Sequence, residues 1–206
     1  MLPSRWLTDR LVMRDVAMED AVRLLAVFNA NSHIGVWDTT FQPIEQPEMD
    51  GLVAASLAQR NARGDPFQMQ AICRRDGVAA GEIAGYYHMA FGVRRPEILA
   101  IGMFVFEPSA QNQGYGSEVL AGLGRQLREL PAYQAAWARV WLKNWPALRM
   151  WVRAGFDRIV EIDGDKVLSP EGQANVILEL DLRRSVQAAA TTHDTNHQGE
   201  EAHEED

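Results

Sequence analysis

A continuous apolar run, a glycine-containing turn and a helical stripe constrain this chain more than any other feature. Residues 98–106 (ILAIGMFVF) carry no charge, which is typical of a buried strand. Leucine and valine then recur at spacings of three and four over residues 119–130, which predicts the buried side of a helix. Between them lies the hexapeptide Gln111-Asn112-Gln113-Gly114-Tyr115-Gly116. We therefore predict a strand, a glycine turn and a helix in direct succession.

The predicted turn has the features of a phosphate-binding loop. The first N–H groups of a helix have no partner inside the helix, so they can bind an anion. Glycine at 114 and 116 would permit positive φ and close approach of a pyrophosphate. A dinucleotide fingerprint needs a third glycine, and a nucleotide P-loop needs a lysine that Gly116-Ser117 lacks. A protein that binds a nucleotide phosphate through this loop in another way stays an open alternative.

Composition indicates one globular domain with a polar extension. The chain has 206 residues, of which 47% are hydrophobic and 23% are charged, as in ordinary globular proteins. The net charge is -8, but much of it lies in residues 200–206. We predict a folded domain over residues 1–184 and an acidic disordered tail over residues 185–206, which has almost no apolar content. The folded part is only mildly acidic, which argues against nucleic-acid binding.

The sequence does not predict a disulfide, a metal site, a membrane span or a signal peptide. Cys73 is the only cysteine, which excludes an intramolecular disulfide and predicts a small buried hydrophobe. The tail histidines are spaced too loosely for a metal site, so we predict none. No apolar run approaches the roughly 18 residues of a membrane span, and no signal-peptide core is visible. We expect a cytoplasmic protein without a membrane partner; a homodimer is compatible with the sequence, which does not decide the oligomeric state.

Periodicity and turn residues predict the other elements. A first helix should open at Glu19 and Asp20, with Val22, Leu24, Leu25 and Phe28 available for its buried side. A second helix should start at Pro47 and stop near residues 64–66, with its apolar side formed by Met49, Leu52, Val53 and Leu57. Another helix should run from residue 144 to a glycine stop at 155. Asp76-Gly77 is typical of a hairpin turn. Besides 98–106, the predicted strands are 11–16, 67–75, 78–91, 136–143, 158–162 and 175–182.

Three stretches resemble motifs of the Gcn5-related N-acetyltransferase (GNAT) superfamily. The hexapeptide resembles the family signature Gln/Arg-x-x-Gly-x-Gly/Ala, which binds acetyl-CoA. Residues 144–156, Asn-x-x-Ala-x-x-x-Trp-x-x-x-Gly-Phe, resemble a second hallmark that has Tyr in place of Trp. Residues 8–21 resemble the opening of the ribosomal-protein N-terminal acetyltransferase branch. The three stretches occur in the family order and cover most of residues 8–182.

The resemblance implies a fold, a co-substrate and a reaction. The implied fold is a single α/β domain, with a central mixed sheet of about seven strands, about four helices and a splayed strand pair that forms the acyl-CoA site. The implied reaction is direct transfer of an acetyl group from acetyl-CoA to a primary amine in a ternary complex. The acceptor could be a protein N-terminal amine or a small-molecule amine. The residues implied to contact the cofactor are Phe104, Val105, Gln111, Asn112, Gln113, Gly114, Tyr115, Gly116, Ser117, Asn144 and Trp151.

Trp151 is the main departure from the family pattern. The usual Tyr hydroxyl can protonate the leaving thiolate, whereas an indole N–H is a donor without useful acidity. Trp151 could pack in the core, or it could form a lid over the pantetheine arm. The departure also suggests an alternative function, a CoA-binding sensor or scaffold with weakened catalysis.

The amine must lose a proton, which requires a general base or a water chain. Glu82 and His88 are expected on the third strand, six residues apart and therefore on one side of it. Glu107 ends the central strand just before the glycine turn. For each of the three, a purely structural role is the alternative.

Overall fold

The computed structural model describes residues 1–36, 41–75, 78, 80–165, 169 and 172–183. The hairpin turn predicted at Asp76-Gly77, and the tail predicted over residues 185–206 with its histidines, lie outside these residues. In the described part, no helix has the length and apolar character needed to cross a membrane.

One eight-stranded sheet forms the centre of the molecule. Its strands are β1 (Arg5–Leu7), β2 (Leu11–Asp15), β3 (Phe67–Arg74), β4 (Ile83–Phe91), β5 (Ile98–Phe106), β6 (Ala135–Trp141), β7 (Arg158–Gly164) and β8 (Ala174–Asp181). Their order across the sheet is β1-β2-β3-β4-β5-β6-β8-β7. Among these described strands only β5 and β6 pair in parallel, so the sheet is mixed.

Four α-helices in the described part of the chain cover the sheet, two on each face. They are α1 (Ala21–Asn29), α2 (Gln46–Leu57), α3 (Tyr115–Arg128) and α4 (Trp145–Arg153). Leu24 of α1 and Val53 of α2 are buried in one core, together with Val105. Leu123 of α3 and Trp151 of α4 belong to a second core on the opposite face. The predicted α/β architecture is therefore confirmed, with eight strands where about seven were expected.

The extra strand and several element ends differ from prediction. The strand β1 has only three residues and was missed, because so short a segment shows no periodicity. The strand β4 begins at Ile83, five residues later than predicted, and α2 ends at Leu57, well before residues 64–66.

The buried sides of the first two helices also differ from prediction. Val22 is 69% exposed and Leu57 is 53% exposed, although both were expected on buried sides. The buried stripe of α1 instead runs through Ala21, Leu24, Val27 and Phe28 at spacings of three and four.

Two irregularities in β5 open the sheet at its centre. The parallel pairing with β6 extends only from Ile98 to Ile101, opposite residues 135–138, and the two strands then separate. On the other side, the register with β4 shifts next to His88, where one residue of β4 faces two residues of β5. Such a β-bulge bends its strand locally. The second half of β5 therefore lies beside an opening in the sheet.

Candidate active site

A cavity of about 460 Å³ lies at this opening. Its wall is made by the second half of β5, the glycine turn, the start of α4 and the turn after α1. Nine of the residues predicted to contact the cofactor line it: Phe104, Val105, Gln111, Asn112, Gly114, Tyr115, Gly116, Ser117 and Asn144. Gln113 and Trp151 do not line the cavity. No Asp or Glu among the described residues lines it, whereas Arg153 does, so the charge of the cavity lining suits an anionic ligand.

The glycine turn presents a row of unpaired backbone donors. The first helical hydrogen bond of α3 joins the Glu118 N–H to the Gly114 carbonyl, at 3.1 Å. Within the described part of the chain, none of the N–H groups of residues 112–117 donates to another group. Gly114 has φ of 80° and Asn112 has φ of 60°, and this left-handed backbone forms the turn before the helix. Free N–H groups at a helix N-terminus form an anion site, so this turn fits a pyrophosphate.

Gln111 and Asn31 anchor the start of this turn. The Gln111 Nε2 donates to the Asn31 Oδ1 at 2.7 Å and to the Phe106 carbonyl at 3.0 Å. The Asn31 Nδ2 donates to the same carbonyl at 3.0 Å and to the Val27 carbonyl at 2.7 Å. The buried Asn31 thus connects the end of α1 to the end of β5. Gln113 has a different role, because its Nε2 donates to the Ser109 carbonyl at 2.5 Å and closes the loop on itself.

The second half of β5 directs part of its backbone into the opening. The Glu107 N–H donates to the Ala84 carbonyl at 2.9 Å, so that pair is hydrogen-bonded. Hydrogen-bonded and non-hydrogen-bonded pairs alternate along antiparallel strands. The next hydrogen-bonded residue of β5 is therefore Val105, whereas Phe104 and Phe106 point their N–H and C=O groups away from β4. Phe104 consequently offers a backbone N–H toward the separated strands.

The start of α4 forms the facing wall. The Asn144 Oδ1 accepts a hydrogen bond from the Ala147 N–H at 3.1 Å and caps the helix. Met150 lines the cavity one turn later and approaches α3 closely. A Cβ at Gly116 would lie 2.6 Å from the Met150 Sδ, so glycine at this position lets the two helices meet.

Trp151 packs behind β5. It is 5% exposed and meets Phe104 edge to face, with ring centroids 5.5 Å apart. On its other side it meets Phe156 in the same way, at 4.8 Å. Of the two roles considered for Trp151, the packing role matches this placement.

None of the three predicted bases lines the cavity. Glu82 does not lie on the strand as predicted: it precedes β4 and is exposed, so it does not share a strand face with His88. Glu107 follows β5 as predicted, and its carboxylate accepts from Arg23 and, at 3.0 Å, from Arg74. Burial alone would raise the pKa of Glu107, but hydrogen bonds from Ser109, Arg74 and Arg23 outweigh it and lower that pKa.

His88 lies on β4, and its side chain is hydrogen-bonded to the backbone of β5. Its Nε2 accepts a hydrogen bond from the Met103 N–H at 3.2 Å. Its Nδ1 is buried and has no hydrogen-bond partner among the described residues. Burial lowers the pKa of His88 to about 4, so the imidazole is neutral near pH 7. A neutral imidazole has one acceptor nitrogen, and Met103 occupies it.

Nine cavity residues were not predicted as site residues. They are Asn31, His33, Ile34, Phe106, Ala110, Pro146, Ala147, Met150 and Arg153. A signal existed for two of them: Met150 and Arg153 follow Ala147 at spacings of three, on one side of α4. No local pattern marks Asn31 or His33, because only the fold brings the turn after α1 to the glycine turn.

The comparisons with known proteins identify the family. The family model described as "Acetyltransferase (GNAT) domain" matches residues 10–157. The chain therefore belongs to the GNAT acetyltransferase family, whose members use acetyl-CoA. No curated protein matches the chain. In the described residues, no group of three or more His, Cys, Asp and Glu side chains is arranged to hold a metal ion.

Solved structures of acetyltransferases share this fold. The Salmonella typhimurium acetyltransferase that modifies the N-terminal serine of the 50S ribosomal subunit protein L7/L12 is 16% identical, with a TM-score of 0.64 over 87% of this chain and 98% of its own. RimL, a ribosomal L7/L12 alpha-N-protein acetyltransferase in complex with coenzyme A, is 16% identical, with a TM-score of 0.65 over 87% and 97%. A candidate phosphinothricin N-acetyltransferase is 17% identical, with a TM-score of 0.63 over 84% and 99%. At these identities the likeness establishes the fold alone.

Proposed function

We propose that this enzyme transfers an acetyl group from acetyl-CoA directly to a primary amine within a ternary complex. The observation that carries the proposal is the row of unpaired N–H groups over residues 112–117, at one end of a cavity that also reaches the free backbone of β5. A ligand with a pyrophosphate at one end and a carbonyl at the other matches both features. Acetyl-CoA has both, and the family uses it.

Each part of the cavity has a role in this proposal. The N–H groups of the glycine turn would hold the pyrophosphate, and Arg153 would add a positive charge nearby. The Phe104 N–H would donate to the thioester carbonyl oxygen, on which negative charge develops during attack. Backbone donors that are fixed before the reaction stabilise such charge without reorganisation.

The only cysteine supports direct transfer over an acyl-enzyme route. Cys73 is 4% exposed on β3 and does not line the cavity. Burial raises the pKa of its thiol, although the nearby Arg14 acts in the opposite direction. The raised pKa keeps the thiol protonated and weakly nucleophilic. An amine that attacks the thioester directly needs no such intermediate.

The leaving thiolate and the attacking amine differ in whether they need help with a proton. A thiol has a pKa near 8.5, so its thiolate can leave near neutrality without a dedicated acid. An alkylamine has a pKa near 10.4, so it must lose a proton before attack. The resulting barrier is lowered mainly by holding amine and thioester together, which is the role we give the cavity.

The acceptor we favour is a protein N-terminal amine. The opening segment of the chain resembles enzymes of that class, and two structural neighbours are named for N-terminal modification of a ribosomal protein. A small-molecule amine is the second acceptor class, and one neighbour is named for such a substrate.

Release of free thiol from acetyl-CoA tests this proposal across a panel of peptides and small amines. Each peptide should be paired with the same sequence carrying a blocked N-terminus. We expect thiol release and an acetylated product with free N-termini, and none with the blocked partners. Binding of CoA without turnover of any amine would support the sensor or scaffold alternative. Tighter binding of ATP than of CoA would support a nucleotide-phosphate binder.

A further inference from the structure

The β-bulge in β5 is held by a side chain of the neighbouring strand. Tyr87 pairs with Phe104 and Met89 pairs with Ile101, so His88 alone faces the two bulge residues Gly102 and Met103. The extra residue puts Ile101 and Phe104 in the same core, although they are three positions apart. In a regular strand, residues three apart would face opposite sides. The bulge thus determines which way the backbone of Phe104 points.

His88 accepts a hydrogen bond from the Met103 N–H, which the bulge leaves without a partner in β4. Its Nε2 accepts from the Met103 N–H at 3.2 Å, and its ring packs against Phe67 with centroids 5.1 Å apart. A bulge leaves one residue without its regular ladder partner, and leaving the partly buried Met103 N–H unpaired would cost free energy. The imidazole therefore replaces the missing strand partner.

Gly102 makes room for this imidazole. A Cβ at position 102 would lie 2.1 Å from the His88 Cε1 and 2.7 Å from its Nδ1. Real Cβ atoms do not approach so closely, so any other residue at this position would displace the ring. Gly102 and His88 thus form one unit on the bulge.

We propose that His88 is a positioning residue: it holds the bulge at Gly102 and Met103 and so directs the Phe104 N–H into the cavity. This inference rests on the proposed function, in which that N–H binds the thioester carbonyl. His88 itself does not line the cavity, and its acceptor nitrogen is occupied. It therefore acts through the backbone of β5, not by contact with substrate.

Two substitutions at position 88 distinguish the effect of the hydrogen-bond acceptor from the effect of side-chain size. His88→Ala removes the acceptor, whereas His88→Gln keeps an oxygen within reach of the Met103 N–H. We expect His88→Ala to lower kcat on the order of tenfold, the effect of one lost hydrogen bond on transition-state stabilisation. CoA affinity should stay within about twofold, since the glycine turn is untouched. His88→Gln should recover most of kcat; equal losses in both variants would overturn the proposal.

A double-mutant cycle tests the link to Gly102. Gly102→Ala should lower kcat about as much as His88→Ala, because it displaces the ring. In the His88→Ala background it should add little, so the two effects should be strongly non-additive. Gly51→Ala in α2 is the matched control, because a Cβ there meets no atom within 4 Å. Additive losses would show that Gly102 acts independently of His88, against the proposal.

Hydrogen exchange of the Met103 amide tests the contact without any substrate. We expect its exchange to be slow in the wild type and His88→Gln, and faster by tenfold or more in His88→Ala. Unchanged exchange in His88→Ala would overturn the proposed contact. Absence of turnover in the wild type would instead contradict the proposed function, and the exchange result would still stand.

Discussion

Glu118, in the first turn of α3, accepts hydrogen bonds from the backbone N–H and the Nε of Arg10, at 2.8 and 2.7 Å. The Thr8 hydroxyl donates to the same carboxylate at 2.5 Å. Arg10 also donates through Nη1 to the Gln113 carbonyl at 3.0 Å and lies over the Tyr115 ring, 4.5 Å from its centroid. The turn between β1 and β2 therefore holds the glycine turn from outside the cavity.

Glu118→Gln should destabilise the fold in a pH-dependent way. Burial alone would raise the pKa of Glu118, but hydrogen bonds from Thr8 and Arg10 outweigh it and lower the pKa below its ordinary value of 4.5. A lowered folded-state pKa contributes stability above the unfolded pKa, and this stability is lost as the pH falls through the folded pKa. We expect a loss of about 1 kcal/mol near pH 7, because the half-exposed Arg10 is screened by solvent.

Urea unfolding of the wild type and Glu118→Gln at pH 7 and at pH 4 measures this difference. The gap between the two proteins should shrink at pH 4. Glu129→Gln, an exposed change at the other end of α3, is the control and should have little effect at either pH. A gap of the same size at both pH values would contradict the assignment of the Glu118 charge.

Gly114→Asp should abolish CoA binding without unfolding the protein. The new carboxylate would stand among the N–H groups that hold the pyrophosphate, and like charges repel. Gly64→Asp is the matched control, because Gly64 also has positive φ, 83° against 80°, and lies outside the cavity lining. Both variants thus carry the same kind of backbone strain.

Thermal unfolding with and without CoA reads out this prediction. At about 100 times its dissociation constant, CoA should stabilise the wild type and Gly64→Asp by roughly 2.7 kcal/mol. Gly114→Asp should show no such stabilisation. An equal stabilisation of all three proteins would remove the glycine turn from the binding site.

The features that sequence predicted well are those encoded in adjacent residues. The strand, turn and helix from Ile98 to Arg128 form one contiguous segment, and the residues of its turn, apart from Gln113, line the cavity. The Asn144 cap likewise depends on Ala147, three residues later. Such local patterns need no knowledge of the fold.

The features that sequence missed depend on contacts between distant residues. Asn31 reaches Gln111 across 80 positions, and no spacing rule connects them. His88 meets Met103 only because the register of two strands shifts by one residue, and periodicity cannot reveal such a shift. Whether Glu82, His88 or Glu107 takes part in proton transfer stays a prediction. Residue type and spacing along the chain do not determine whether a side chain reaches the cavity.

Glu107→Gln should lower stability and leave the shape of the pH–rate profile unchanged. Its carboxylate is paired with Arg23 and Arg74, outside the cavity lining. We expect the same unchanged profile for Glu82→Gln, because Glu82 is exposed and also outside the cavity lining. In both variants the rate should follow the ionisation of the amine itself. A rate loss in Glu82→Gln that is confined to low pH and rescued at high pH would restore Glu82 as the base.

The last prediction concerns Trp151, where the family commonly has Tyr. Because the indole packs between Phe104 and Phe156, we assign it to the placement of β5. Trp151→Phe keeps an aromatic ring there and should retain most of kcat. Trp151→Ala should cost about 3–5 kcal/mol of stability and lower kcat, because the support behind Phe104 is lost. Val152→Ala, at a half-exposed position on the same helix, is the control and should change both quantities little.

Steady-state kinetics and urea unfolding on the same preparations distinguish packing from chemistry at Trp151. If the residue acts by packing, kcat should fall with stability across the series from wild type through Trp151→Phe to Trp151→Ala. Thiolate departure itself should be unaffected, so the pH dependence of kcat should keep its shape in Trp151→Phe. An inactive Trp151→Phe variant with unchanged stability and CoA affinity would contradict the packing role. This substitution removes only the indole N–H and makes the aromatic ring smaller.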